Sequence, residues 1–275
     1  MAQFLAMTEQ ECKNCGNAFK GTYCNLCGEK INIPEERSFK KILNTLMVAV
    51  LNVDSKAIKS LGYILFKPGF LSGEISNGRT VGYVKPMALF FVLNLIYFLF
   101  PLIQLFNATW KTQLSSVYGS WVLRRSVHKM LEMDLPRSAF ELMYNDKTVA
   151  YAKMMVIAFA VLASLPLNFL YRKTKKFFGD HLNLMVELAC FNLFLNAMVI
   201  TLVAKVFPVG IYLNDNILSV LFLGTNLYFL IRSGYVFYGG STSQIILKSL
   251  VMTGFLKVAL ETYRFLLFLI TINSV

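Results

Sequence analysis

Four of the five cysteines in this chain fall in one short stretch, as Cys12-Lys-Asn-Cys15 and Cys24-Asn-Leu-Cys27 with eight residues between the pairs. Two Cys-x-x-Cys knuckles supply four thiolates, and a zinc ion, lacking any d-electron geometric preference, accepts them as a closed tetrahedron. Gly16 and Gly28 follow the second cysteine of each pair, where tight turns let both sulfurs point at one metal. With all four positions cysteine, no coordination site is left for water, so the expected role of the zinc is structural. A ribbon this short buries little core, and the metal would supply most of its folding free energy. Two disulfides, or an iron–sulfur cluster, are the alternatives that four cysteines alone leave open.

A second group of chemically capable residues lies in apolar surroundings. Lys257, Glu261 and Arg264 are spaced i, i+4 and i+7, which places them on roughly one helix face. A charge at the centre of a membrane helix costs on the order of 2.5–3.5 kcal/mol on insertion scales. Their presence suggests either an ion, proton or headgroup pathway or an internally compensated pair, and the three are expected to face the bundle interior. Glu187, followed by Asn192 and Asn196, is a further carboxylate in an apolar run; it could pair with Lys257 or Arg264, or reach water. Cys190 reads as a buried inert thiol, and His128 and His181 as solvated residues near loops.

The elements that must position these residues are membrane helices. The composition is 56% hydrophobic and 15% charged, with a mean hydropathy of +0.55, outside the range of soluble domains. The expected fold is an all-α polytopic membrane protein of about five spans, carrying a small four-cysteine zinc ribbon at its N-terminus. Those spans are read at Met87 to Phe106, Met154 to Tyr171, Leu182 to Phe207, Ile217 to Ile231 and Ile245 to Ile272, the fourth continuing past Arg232 into Tyr238. Pro101 and Pro166 should bend the first two. The chain then divides into the ribbon (1–33), amphipathic interfacial helices with a Pro/Gly-rich connector (34–86), and the helical bundle (87–275). The interfacial helices are expected over residues 39–51 and from Asp54 or Ser55, the second with Ile58, Leu61, Ile64 and Leu65 on its apolar side. Residues 107–150 carry mixed charge and an apolar pattern around Trp121, Val122, Leu131, Leu135 and Leu142, consistent with an interfacial helix.

The net charge of +12 has a sided distribution. The region up to Pro86 holds eleven Lys and Arg, residues 172–181 four and residues 232–248 two, whereas the 107–150 loop holds six. That asymmetry predicts a cytoplasmic N-terminus, an external C-terminus, and anionic lipid head groups as partners on the basic side. A reducing cytoplasm would keep the four thiols available to metal. No nucleic-acid motif accompanies the charge, so nucleic acid is not expected as a partner. Met1 to Glu11 lacks the basic and apolar regions of a cleavable signal peptide.

Lys67-Pro68-Gly69, followed by Gly78-Arg79, Tyr83 and Pro86 ahead of the first span, forms an interfacial motif. Together with Cys12-Lys-Asn-Cys15-Gly16 and Tyr23-Cys24-Asn-Leu-Cys27-Gly28, it resembles an uncharacterised family of bacterial membrane proteins frequent in the Bacteroidetes. That family joins an N-terminal zinc ribbon to a bundle of spans, and the resemblance implies a bacterial inner membrane but no known reaction. The family pattern places an arginine two residues after the glycine, where this chain has Thr80, with its arginine at Arg79. A fainter similarity, of topology alone, links the chain to the Yip family. The function expected first is a non-enzymatic scaffold or regulator whose ribbon recruits a cytoplasmic partner while its helices bind lipid or another membrane protein. A transporter or channel using Glu187, Lys257, Glu261 and Arg264 comes second, without an evident inverted repeat. A lipid-acting enzyme comes third, since no nucleophile–base pair is apparent.

Overall fold

The computed structural model describes residues 9–12, 15–21, 23–27, 55–80, 82–99, 106–174, 176–206 and 215–275. The chain forms two compact units, Met1–Ser55 and Lys56–Val275. In the first, β1 (Gln10–Glu11) pairs antiparallel with β2 (Ala18–Phe19), Gln10 opposite Phe19 and Glu11 opposite Ala18. The amphipathic helix expected over residues 39–51 lies outside the described residues.

The second unit is helical throughout its described elements. Helices α1 (Ser55–Phe66) and α2 (Phe70–Ser76) precede α3 (Pro86–Leu99). Two short helices follow, α4 (Trp110–Leu114) and α5 (Gly119–Glu132), then the long α6 (Arg137–Leu170). Helix α7 runs from Phe178–Phe191 through a wide-turned stretch, Asn192–Val199, into Ile200–Val206. Helix α8 (Asp215–Ser233) widens at Gly234–Tyr238, where the Gly239 N–H reaches back five residues to the Gly234 carbonyl at 3.0 Å, and α9 (Thr242–Ser274) completes the unit.

Sequence periodicity explains how these helices pack. In α6 the buried side chains include Ala152, Val156, Phe159, Ala160, Ala163 and Leu167; in α9 they include Ile245, Ser249, Met252, Leu256, Ala259, Tyr263 and Leu267. Steps of three and four residues place each set on one stripe, the pattern of helices crossing at a shallow angle, with alanines allowing close approach. The two run antiparallel: Phe159 meets Tyr263 with ring centroids 6.5 Å apart, and Lys248 lies over the Tyr171 ring at 4.2 Å. Helix α7, by contrast, is buried at every position from Leu184 to Leu193. A helix apolar on all sides belongs at the centre, and α7 packs there against α2, α3 and α6.

Among the described residues three helices are long and apolar enough to cross a membrane: Arg137–Leu170, Phe178–Val199 and Val220–Tyr238. This is a helical membrane protein. The continuation of the Gly234–Tyr238 turns past Arg232 follows the sequence reading. The other two expected spans are not in this class. Helix α3 is apolar but 14 residues long in its described part, and the 33-residue α9 carries Lys248, Lys257, Glu261 and Arg264 along its length. Helix α6 begins at Arg137, well before the expected Met154, because its polar first half is a helix buried against other elements.

That first half builds a cap at one end of the bundle. Trp110 is fully buried, its indole N–H donates to Ser126 Oγ at 3.0 Å, and its backbone N–H donates to Asn145 Oδ1 at 2.9 Å. Phe140 and Tyr144 of α6 and Phe268 and Ile272 of α9 complete this second core. Val122 is buried there, whereas Leu131 and Leu142 are exposed. The opposite end gathers the basic connections: Lys176 Nζ donates to Ser76 Oγ at 2.9 Å, and His181 Nδ1 lies 2.6 Å from the Tyr238 hydroxyl. His181, expected to be solvated, is buried there; His128 is exposed and pairs with Glu132 at 3.1 Å.

Candidate metal centre and buried carboxylate site

The ribbon brings its four sulfurs together through the turn before β2. The Gly16 N–H donates to the Cys12 carbonyl at 2.8 Å, and Gly16 has φ +71°, a conformation that glycine adopts without strain. Gly28, expected to play the same part, lies outside the described residues. Cys12 and Cys24 are buried with Phe19, while Cys15 and Cys27 are exposed. The four sulfurs lie within 4.8 Å of one another, with Cys12 to Cys27 at 3.5 Å and Cys15 to Cys24 at 3.7 Å. A tetrahedral ion with metal–sulfur bonds of about 2.3 Å requires sulfur–sulfur edges of roughly 3.8 Å, so the residues present fit such an ion.

Electrostatics point the same way. The backbone N–H of Cys27, followed by that of Leu26, favours the Cys24 thiolate and lowers its pKa to about 6. At Cys15 the Asn17 N–H also favours the thiolate, but the Cys27, Cys12 and Cys24 sulfurs and partial desolvation outweigh it and raise the pKa to about 12. Four crowded sulfurs resist common ionisation unless a cation neutralises them, and a closed four-thiolate set leaves that cation no catalytic position.

The membrane charges do not assemble into one cluster. Glu261 sits between Lys257 (3.0 Å) and Arg264 (3.4 Å) on α9. Lys257 points outward with 70% of its side chain exposed, and Glu261 and Arg264 are half-buried. Moreover, α9 meets the cap at this level: Gln113 Nε2 donates to the Arg264 carbonyl at 2.9 Å and the Tyr118 hydroxyl to that of Glu261 at 3.4 Å. Burial, and then the Glu261 carboxylate, push the Tyr118 pKa upward. These charges therefore occupy the cap–bundle boundary. The expectation that all three face the bundle interior fails for Lys257, because its ammonium extends along the surface toward Glu261.

Glu187 pairs with neither Lys257 nor Arg264. Its fully buried carboxylate instead receives the Gly69 N–H at 2.8 Å, the Ser72 N–H at 3.0 Å and the Ser72 hydroxyl at 2.5 Å. Taking a carboxylate out of water costs several kcal/mol, and hydrogen bonds to a charged group contribute about 1.5–3 kcal/mol each, so three convergent donors are enough to hold it there. The donors come from the Pro68-Gly69 turn and the opening of α2. Gly69 has φ +84°, and a Cβ on it would stand 2.9 Å from Ser233 Cα and Cβ of α8. The turn is thus wedged between α7 and α8 at a place only glycine fits.

The rest of the interfacial motif gathers around this wedge. Arg79 forms a two-pronged pair with Glu74 at 2.8 and 2.5 Å, which lowers the Glu74 pKa and raises that of Arg79, chiefly through the hydrogen bonds. Gly78 (φ +78°) turns the chain just before it. Tyr83 packs edge-on against Tyr63 and Phe70, and the Pro86 carbonyl faces Cys190 Sγ at 3.5 Å. Helix α1 contributes buried Ile64 and Ser60, the latter accepting from the Val84 N–H at 3.0 Å, while Ile58 is exposed.

Deeper in the bundle, the wide-turned part of α7 carries a buried amide network. Asn192 and Asn226 exchange reciprocal hydrogen bonds of 3.0 Å, Asn196 donates to Asn192 at 2.6 Å, and Thr225 donates to Asn196 at 3.1 Å. Widened turns rotate successive side chains, and here they bring Asn192 and Asn196 to bear on α8 together. The sequence signalled Asn192 and Asn196 by their spacing, but nothing marked Asn226 as their counterpart, or Ser72 as that of Glu187.

Fold and site together define a polytopic helical membrane protein with a four-thiol candidate metal centre. A family model described as "Protein of unknown function (DUF3667)" matches residues 54–98. That segment contains α1, the Arg79 turn and nearly all of α3, together with the Pro-Gly turn and α2 that supply the donors to Glu187. Comparison with curated proteins and with solved structures gives no match.

Proposed function

We propose that this chain is a bacterial inner-membrane scaffold or regulator whose N-terminal ribbon, closed by zinc, recruits a protein partner in the cytoplasm. The observation that carries this reading is the surface of the ribbon's second knuckle. Tyr23 and Leu26 flank the buried Cys24 and are 60% and 71% exposed. An aromatic and an aliphatic side chain held outward on a metal-stiffened turn form a pre-organised contact that loses little conformational entropy on binding. The metal has no open position, so recognition suits it better than catalysis.

The same reading takes the bundle as five passes, with the N-terminus inside and the cap outside. Cap contacts on α9 begin at Glu261, leaving residues 242–260 for the bilayer, roughly 28 Å of helix against a hydrocarbon thickness of about 30 Å. The basic connections lie at the other end, which suits the cytoplasmic leaflet and its anionic head groups.

Site-specific photocrosslinking in cells tests the recruitment. An aromatic crosslinker in place of Tyr23 should capture one recurrent cytoplasmic protein, lost in Leu26→Asp, which retains metal, and in Cys24→Ser, which does not. Capture unchanged in both variants would refute the proposal.

A further inference from the structure

Helices α6 and α9 enclose an open groove of about 310 Å³. Its walls are Leu165 and Phe169 on one side and Phe255 and Val258 on the other, all exposed, while its floor is the small buried Ala259. Leu162 and Pro166 line it too, and Pro166 has no N–H to give the Leu162 carbonyl, which relaxes α6 beside the groove. Because the helices are antiparallel, with Phe159 level with Tyr263 and Tyr171 level with Lys248, the groove runs toward the basic end of the bundle.

At that end the apolar walls give way to cations. The Arg172 guanidinium lies 5.5 Å from the centroid of the Phe169 ring, itself a wall of the groove. Lys173 follows it in the chain, and Lys248 stands over Tyr171. No carboxylate among the described residues lies within ion-pair distance of Arg172, Lys173 or Lys248. An apolar slot that opens onto uncompensated positive charge is complementary to an amphiphile with an anionic head.

We infer that this groove is a binding site for one anionic phospholipid of the leaflet at the basic end, with an acyl chain between α6 and α9 and its phosphate at Arg172 and Lys173. The inference rests on the membrane reading above but not on recruitment by the ribbon. Polar head groups without net charge would gain the apolar contact alone, and head groups without acyl chains the charge alone. Each basic residue near a charged head group contributes about 1 kcal/mol, so two together should favour an anionic over a zwitterionic lipid by about tenfold or more.

The experiment uses the full chain, purified in mild detergent and analysed by native mass spectrometry with phosphatidylglycerol and phosphatidylcholine of matched chains. Wild type should retain one phosphatidylglycerol in preference to phosphatidylcholine, and glycerol 3-phosphate should not displace it. The double variant Arg172→Gln/Lys173→Gln, at exposed positions, should bring the two lipids close to parity without a change of Tm in phosphatidylcholine nanodiscs. Val258→Trp, which fills the groove from its exposed wall, should weaken retention of both lipids. Equal retention of the two lipids by wild type, undiminished phosphatidylglycerol retention in the double variant, or displacement by glycerol 3-phosphate would each overturn the inference. If Val258→Trp does not fold, the double variant decides alone. Crosslinking at Tyr23 in the same variants scores the ribbon separately, so loss of the lipid site and loss of the partner are distinguishable.

Discussion

Replacing Glu187 with Leu tests whether the Pro-Gly turn is held by that carboxylate. The change leaves the Gly69 and Ser72 N–H groups without their acceptor in a buried place, at about 1–3 kcal/mol each, while the Ser72 hydroxyl can turn to a backbone carbonyl. Removing a desolvated carboxylate recovers part of that loss. The net destabilisation should be about 3 kcal/mol, which for a domain of this size lowers Tm by roughly 6–12 °C. Glu187→Gln keeps one acceptor but turns an amide toward the remaining donor, so about half the effect is expected. Thermal unfolding in detergent gives the global number. Hydrogen exchange of a peptide spanning residues 67–76 gives the local one, because the Gly69 and Ser72 amides are two of the three donors and should exchange faster. A Leu variant with unchanged Tm and unchanged exchange would refute the anchoring argument.

Anaerobically purified, reduced protein should hold about one zinc per chain by elemental analysis, and Cys24→Ser should release it with the helices still inserted. A reporter fused after Val275 should be active only outside the cytoplasm; activity inside would require an even number of passes. Glu261→Gln should cost about 1 kcal/mol or less by thermal unfolding, since its Lys257 partner is exposed and screened; a loss several times larger would mean that the triplet is sequestered. The Glu74 carboxyl is held below its ordinary range by Arg79, so the pair stabilises the turn above the unfolded pKa near 4.5 and is lost as pH falls through the lower folded value. Proteolysis around residues 77–85 should accordingly rise in acid in the wild type, and Arg79→Gln should lose that dependence.

The four thiols were legible because a knuckle writes its chemistry in local spacing, and the helices because apolar runs of membrane length carry their own signal. The connections at residues 172–181 and 232–248 lie at one end of the bundle, where Lys248 stands over Tyr171 and His181 meets Tyr238. The partner of Glu187 was not legible. Its donors lie 118 and 115 residues away, and two of the three are backbone N–H groups, which every residue type but proline carries. His181 was misplaced for a related reason, since its burial depends on Tyr238, 57 residues on. Reading α6 from Met154 missed a helix whose first half has no apolar run but instead buries Phe140, Tyr144 and Thr148 at four-residue steps.

The cap has a consequence for how the chain is made. Trp110, Val122, Phe140 and Tyr144 close their core only against Phe268 and Ile272, and Gln113 waits for a carbonyl 151 residues later. Synthesis proceeds from the N-terminus, so the segment that becomes the cap must remain unfinished while α7, α8 and α9 are made. Its completion then coincides with arrival of the last helix. Proteolytic resistance of residues 107–150 would therefore act as a built-in receipt for full insertion, and chains stalled before α9 would present an open, degradable cap to quality-control proteases.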